Sequence, residues 1–162
     1  NFKDDIVKLD KDAISFKEIV DNYLIPTPRL KGGAIIAASG YATSMIDISD
    51  GLSSDLEHIC RKSKVGAEIY YSHLPRNPLL DEMPALTMTD MERMILHGGD
   101  CYELLFTLKP DTPQEFIRTF EADSGVSISK IGMVVHSDRG ITLFDHNNKH
   151  RDLKPHGWDH FG

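Results

Sequence analysis

The chain has 162 residues, 40% hydrophobic and 27% charged, which suits one domain of ordinary globular composition with a short extension. A net charge of -7 argues against sequence-independent nucleic-acid binding, which needs a basic face. The two cysteines, Cys60 and Cys101, are too few for a disulfide scaffold and suit a reducing cytoplasm. No apolar run is long enough to span a membrane and no signal-peptide pattern opens the chain. The first residue is Asn rather than Met, as in a processed or truncated product.

Residues 1–13 are polar and charged, whereas 14–24 carry apolar side chains at helical spacing. Pro26 and Pro28 stop that helix and stiffen the run to Leu30. Gly32-Gly33 then leads into Ala34–Ala38, which reads as a short buried helix ending near Gly40. Residues 44–48 read as a strand and 52–63 as an amphipathic helix. The apolar face of that helix is Leu52, Leu56, Ile59 and Cys60; its polar face is Asp55, Glu57, Arg61 and Lys62.

Residues 67–71 read as a strand, followed by a loop punctuated by Pro75, Pro78 and Pro84. A helix over 87–96 presents Met88, Met91, Met94, Ile95 and Leu96. His97–Cys101 forms a turn into a strand over Tyr102–Leu108. Thr112 caps a helix running to Glu121, with Pro113 at its first position. Strands follow near 127–134 and 140–144, and the Asn-Asn-Lys region between His146 and His150 reads as a hairpin loop. Strands alternating with helices imply an α/β layered fold, a mixed sheet covered by helices.

Chemistry concentrates in Asp47-Ile48-Ser49-Asp50-Gly51-Leu52. Asp47 and Ser49 share a strand face and Asp50 lies in the turn beyond, at the mouth of a helix whose N–H groups favour anions. Carboxylates at such a place make sense when a hard cation sits between them and a phosphate. Plain helix capping is the competing account. It explains one polar residue, but not Asp47 inside an apolar strand.

Gly98-Gly99-Asp100 reads either as a helix C-cap and turn or as a place where a ligand approaches the backbone beside Asp100. Cys101 near His97 has no activating context for nucleophilic chemistry. His146, His150, His156 and His160 lack the cysteine partners and the helical spacing of a zinc site. Trp158, the single tryptophan, either pins the tail to the core or offers a plate to a planar ring. Neither G-x-x-x-x-G-K-[ST] nor G-x-G-x-x-G occurs, so a nucleotide would bind through another architecture.

Four stretches in order resemble the C-terminal domain of the thiamine-monophosphate kinases, in the superfamily of aminoimidazole ribonucleotide synthetase and selenophosphate synthetase. They are Pro26–Arg29, Asp47–Leu52 with Asp55-Leu56 and His58-Ile59, Gly98–Thr107, and Gly157–Phe161. The resemblance covers residues 21–162 as that domain and leaves 1–20 as a linker from an N-terminal domain not matched here. It implies transfer of the γ-phosphoryl of ATP to thiamine monophosphate, assisted by Mg²⁺. It places magnesium ligands at Asp47 and Asp50, an ATP contact at Ser49, and substrate contacts at Asp100 and Trp158. In the family, position 100 is usually Glu and position 101 usually Asp, so Asp100 is one methylene shorter and Cys101 lacks the carboxylate.

The same resemblance implies a cytoplasmic enzyme, homodimeric at full length, whose C-terminal part alone is inactive. Its partners are ATP, thiamine monophosphate and its own N-terminal domain, with no nucleic acid and no membrane. Two other readings compete. One is a sister enzyme using ATP on a formyl amidine or a selenide; the other is a non-catalytic binding domain that kept the fold.

Overall fold

The computed structural model describes residues 24–76 and 87–156. In chain order the elements are α1 (Leu30–Ala38), β1 (Ala42–Asp47), α2 (Leu52–Ser63), β2 (Gly66–Tyr70), α3 (Met88–His97), β3 (Leu104–Leu108), α4 (Gln114–Ser124), β4 (Gly132–Val135), β5 (Ile141–Phe144) and β6 (His150–Asp152). β1 and β3 form an antiparallel pair, with Asp47 opposite Leu104 and Met45 opposite Phe106. The other four strands form a sheet in the order β4-β2-β5-β6, in which only β2 and β5 run parallel. Helices and mixed strands give the α/β layered class expected.

α2 joins the two sheets. Leu52, Leu56, Ile59 and Cys60 point from it into a core shared with Leu105 of β3, Ala67 and Ile69 of β2, Leu143 of β5 and Leu96 of α3. A three-to-four spacing of apolar side chains in a 12-residue helix gives that single buried stripe. α2 ends at Lys64 in the left-handed conformation, whose N–H returns to the Cys60 carbonyl.

Several boundaries differ from the sequence reading, each for a local reason. α1 begins at Leu30, takes in both glycines, and buries only Gly32 and Ile36. A Cβ on Gly32 would stand 3.3 Å from Phe120 Cζ, so the missing side chain lets α1 lie close on α4. α4 starts at Gln114 with Pro113 as its cap, because the Thr112 hydroxyl bonds the Lys109 carbonyl instead of a helix N–H. β3 starts at Leu104, because Tyr102 has φ 51, which no strand accommodates.

The strand expected near 127–134 starts only at Gly132 and runs one residue further, to Val135, as β4, and Tyr71 belongs to a 3-10 turn. Met91 and Leu96 are the buried residues of α3, whereas Met88 and Met94 face outward. The hairpin loop over 145–149 is present, with Asp145 Oδ1 accepting from the N–H groups of Asn147 and Lys149. The expected helix over 14–24, save its last residue, and Pro78 and Pro84 lie outside the described residues. Among those described, no helix is long and apolar enough to cross a membrane.

Candidate active site

β1 ends at Asp47, whose side chain lies on the exposed face of the strand. Ser49 sits past the strand end in the bend with Asp50, so the two-residue spacing does not continue the strand as expected. The backbone pairing nevertheless runs on. Ile48 N–H donates to the Glu103 carbonyl, Tyr102 N–H to the Ile48 carbonyl, and Asp100 N–H to the Ser49 carbonyl. These bonds lay the Gly98–Glu103 stretch along the Asp47–Asp50 turn.

Two glycines make that approach possible. Gly51 has φ 105, and a Cβ there would meet the His97 carbonyl carbon and oxygen at 2.9 Å. A Cβ on Gly99 would stand 2.6 Å from the Ser49 carbonyl oxygen. The end of α3 and the start of α2 are therefore in backbone contact. Asp100 and Tyr102 are both left-handed (φ 60 and 51), and the Tyr102 hydroxyl donates to Asp100 Oδ1 at 3.0 Å. That bond, with the charges of Asp100 and then Asp47, raises the Tyr102 phenol above its ordinary 10.0. Asp47, Asp100 and Tyr102 thus share one exposed surface.

Asp55, expected on the polar face of α2, is instead 2% exposed. Its Oδ2 accepts from Ser49 N–H at 3.1 Å and Asp50 N–H at 3.2 Å, closing the bend from inside. Burial pushes its carboxyl above the ordinary 3.8, opposed by those two bonds and by His58; the Asp50 charge adds to the rise. Donor atoms of Asp50, Asp55 and His58 all lie within 4.8 Å of one another. The sequence carried a signal for Asp55: it follows Leu52 by three and precedes Ile59 by four, on the edge of the buried stripe.

Three further contacts were not anticipated. Arg29 Nε bonds both carboxylate oxygens of Glu103 at 3.1 Å while Nη2 bonds Oε1 at 2.6 Å, a fork that joins the Pro26–Arg29 stretch to the Gly98–Thr107 stretch. The Ser53 hydroxyl lies 2.7 Å from His97 Nδ1, and His156 N–H donates to the same oxygen at 3.3 Å. All these residues lie in or beside the motif stretches, but their pairing depends on tertiary proximity.

Cys101 is exposed, with its thiol near the carbonyls of Gly98 and Gly99 at 3.8 Å, while His97 is engaged by Ser53, so the two form no nucleophile pair. His146 packs on Tyr71, His150 on Phe144 and His156 on His97. These three belong to none of the converging donor groups among the described residues. Trp158 and His160 lie outside the described residues.

This arrangement, a doubled turn of carboxylates and close backbone at the N-terminus of α2 beside a mixed sheet, goes with a recognisable family. The family model described as AIR synthase related protein, C-terminal domain, matches residues 4–144, and the chain belongs to that family. A relative from Buchnera aphidicola subsp. Schizaphis graminum, a thiamine-monophosphate kinase, is 31% identical over 143 residues, covering 88% of this chain and 42% of the relative.

Among solved structures, AaThiL complexed with AMPPCP and TMP superposes with a TM-score of 0.67 at 30% identity, covering 89% of this chain and 41% of that one. The thiamine-monophosphate kinase from Stenotrophomonas maltophilia K279a gives a TM-score of 0.67 at 32% identity, over 76% of this chain and 37% of that one. The chain spans about two fifths of the length of the curated relative.

Proposed function

We propose that this chain is the C-terminal part of an ATP-dependent kinase that phosphorylates thiamine monophosphate to thiamine diphosphate. The observation that carries the reading is the juxtaposition of the Asp47–Asp50 turn with the Gly98–Asp100 turn. Support comes from a similar structure with an ATP analogue and TMP bound, and from relatives named for this activity. In the reaction a phosphate oxygen of thiamine monophosphate attacks the γ-phosphorus of ATP. The bond from that phosphorus to the β,γ-bridging oxygen breaks, and ADP leaves with the electron pair.

Such a transfer asks for in-line placement and neutralised phosphate oxygens more than for a base. Asp47 and Asp50 offer the hard oxygen donors that Mg²⁺ prefers, and bound Mg²⁺ would supply the neutralising charge. Asp55 is less suited to be a ligand because one of its oxygens already serves two N–H groups. His58 nitrogen is a poor match for so hard an ion. Ser49 contacts ATP, Asp100 touches the acceptor's phosphate end, and Trp158 packs on its ring system. An N-terminal domain completes the site, and the full-length enzyme is a cytoplasmic homodimer. The 162-residue chain by itself turns over little or no substrate.

The test is an assay of the intact gene product with ATP, Mg²⁺ and thiamine monophosphate, following ADP and thiamine diphosphate together. One thiamine diphosphate per ADP is expected. ADP release only with a formyl amidine or selenide acceptor overturns the reading in favour of a sister enzyme, and no turnover with any acceptor favours a binding domain. Asp47→Asn, on an exposed strand position, should cut kcat by about 100-fold or more while moving Tm by no more than about 2 °C. Near-normal turnover of that variant at saturating Mg²⁺ would remove Asp47 from the metal site.

A further inference from the structure

Ser53 is the second residue of α2, 1% exposed, and belongs to none of the assigned roles. Its Oγ touches the end of α3 through His97 Nδ1 and the C-terminal tail through His156 N–H. We propose that Ser53 is a positioning residue, a buried joint that fixes where the C-terminal tail runs relative to the two site turns and so governs acceptor binding. This proposal rests on the kinase reading for its consequence, but its geometry stands without it.

A hydroxyl has one proton to donate and two lone pairs to accept with. The His156 amide can only donate, so it takes a lone pair. A neutral His97 ring offers Nδ1 as an acceptor, so the Ser53 proton goes there and the ring keeps its own proton on Nε2. Ser53 Oγ, His97 Nδ1 and the His156 amide then each have a partner of the right sense. Burial lowers the His97 pKa, and the nearby His156 ring, standing edge-on at 5.4 Å between centroids, lowers it further. Both effects favour the neutral ring that this hydrogen-bond pattern uses.

The tail needs such a joint more than the helices do. α2 and α3 are already locked by the contact of Gly51 with the His97 carbonyl. The tail leaves the sheet at Leu153, which is buried and whose N–H bonds the Ile141 carbonyl. Lys154 and Pro155 then lie exposed, and His156 meets Ser53. Trp158, given the acceptor contact above, is two residues further along the sequence, so covalent geometry keeps its Cα within roughly 7 Å of that of residue 156. The Ser49–Asp50 bend is held separately by Asp55, which separates donor-side from acceptor-side geometry.

The experiment is steady-state kinetics on the intact gene product. Ser53→Ala should raise KM for thiamine monophosphate about 10-fold while KM for ATP and kcat stay within about 2-fold. His97→Leu should reproduce that pattern, and His97→Asn, which returns a polar atom near the place of Nδ1, should restore an acceptor KM close to wild type. An unchanged acceptor KM in Ser53→Ala, or equal rises in both KM values, overturns the proposal. So does a His97→Asn variant as impaired as His97→Leu.

Hydrogen exchange separates this from a failure of the kinase reading. The His156 amide should be protected in the wild type and fast in Ser53→Ala whether or not the wild type phosphorylates thiamine monophosphate. A His156 amide that exchanges freely in both proteins eliminates the joint.

Discussion

The carboxylate of Asp55 lies inside the fold with one oxygen between the N–H groups of Ser49 and Asp50. Removing it strands two partly buried donors at the bend that carries the candidate ATP and metal contacts, so Asp55→Ala should destabilise the protein by about 2 kcal/mol in equilibrium denaturation. Asp55→Asn should cost only about 1 kcal/mol, because the amide oxygen still accepts from the bend and no charge has to be buried. Equal losses in the two variants would mean that volume, not hydrogen bonding, is what the site requires. Asp100 shows a different economy at the same scale. A left-handed residue is better tolerated as Asp than as most side chains, so at φ 60 the shorter acid fits the backbone that the Ser49 carbonyl holds in place.

At the level of elements, the site is a seam between two ends: the start of α2 and the end of α3. Gly51 is where that seam is tightest. Gly51→Ala should cost about 3 kcal/mol or more, combining a forbidden backbone region with a Cβ pressed on the His97 carbonyl. Gly40 supplies the control. Its φ is also positive, at 73, but a Cβ there meets nothing within 4 Å, so Gly40→Ala should cost only about 1 kcal/mol.

The helices and the apolar stripe of α2 were legible in the sequence because their periodicity is local. The boundaries that moved did so where a tertiary partner intervened: Phe120 admitting the glycines of α1, or the Lys109 carbonyl taking the Thr112 hydroxyl. The candidate turn Asp47–Asp50 was legible because its residue types conflict with the apolar strand around it. Asp55 left a trace at the edge of the α2 stripe, but Arg29–Glu103 and Ser53–His97 left none, because ion pairs and buried hydroxyls have no period.

For the whole molecule, one core serves both sheets through α2, so a local perturbation beside α2 is felt as global stability. His97 provides a pH handle on it. Its folded pKa lies below the ordinary 6.5, chiefly through burial and then the His156 ring; Arg151 and Arg93 act in the same direction and Glu92 against it. Below pH 6.5 the unfolded chain takes up the His97 proton before the folded one does, so stability present above that pH is lost as the pH falls toward the folded value. Thermal melts between pH 7.5 and 5.5 should therefore show a steeper fall in Tm for the wild type than for His97→Asn. Parallel curves would show that the ring titrates alike in both states.

The joint at Ser53 also sets an order in time. The two nitrogen partners of its Oγ come from far along the chain: His97 is 44 residues away and His156 is 103. The Asp55 bend, by contrast, closes over five and six residues and can form as soon as α2 does. Long-range closures are the slow steps of folding. A ribosome delivers Ser53 long before residue 156, so a nascent chain that already has its Asp47–Asp50 bend must wait for the tail. Among the described residues, no hydrogen bond that meets at this site spans more of the chain than the one from His156 to Ser53.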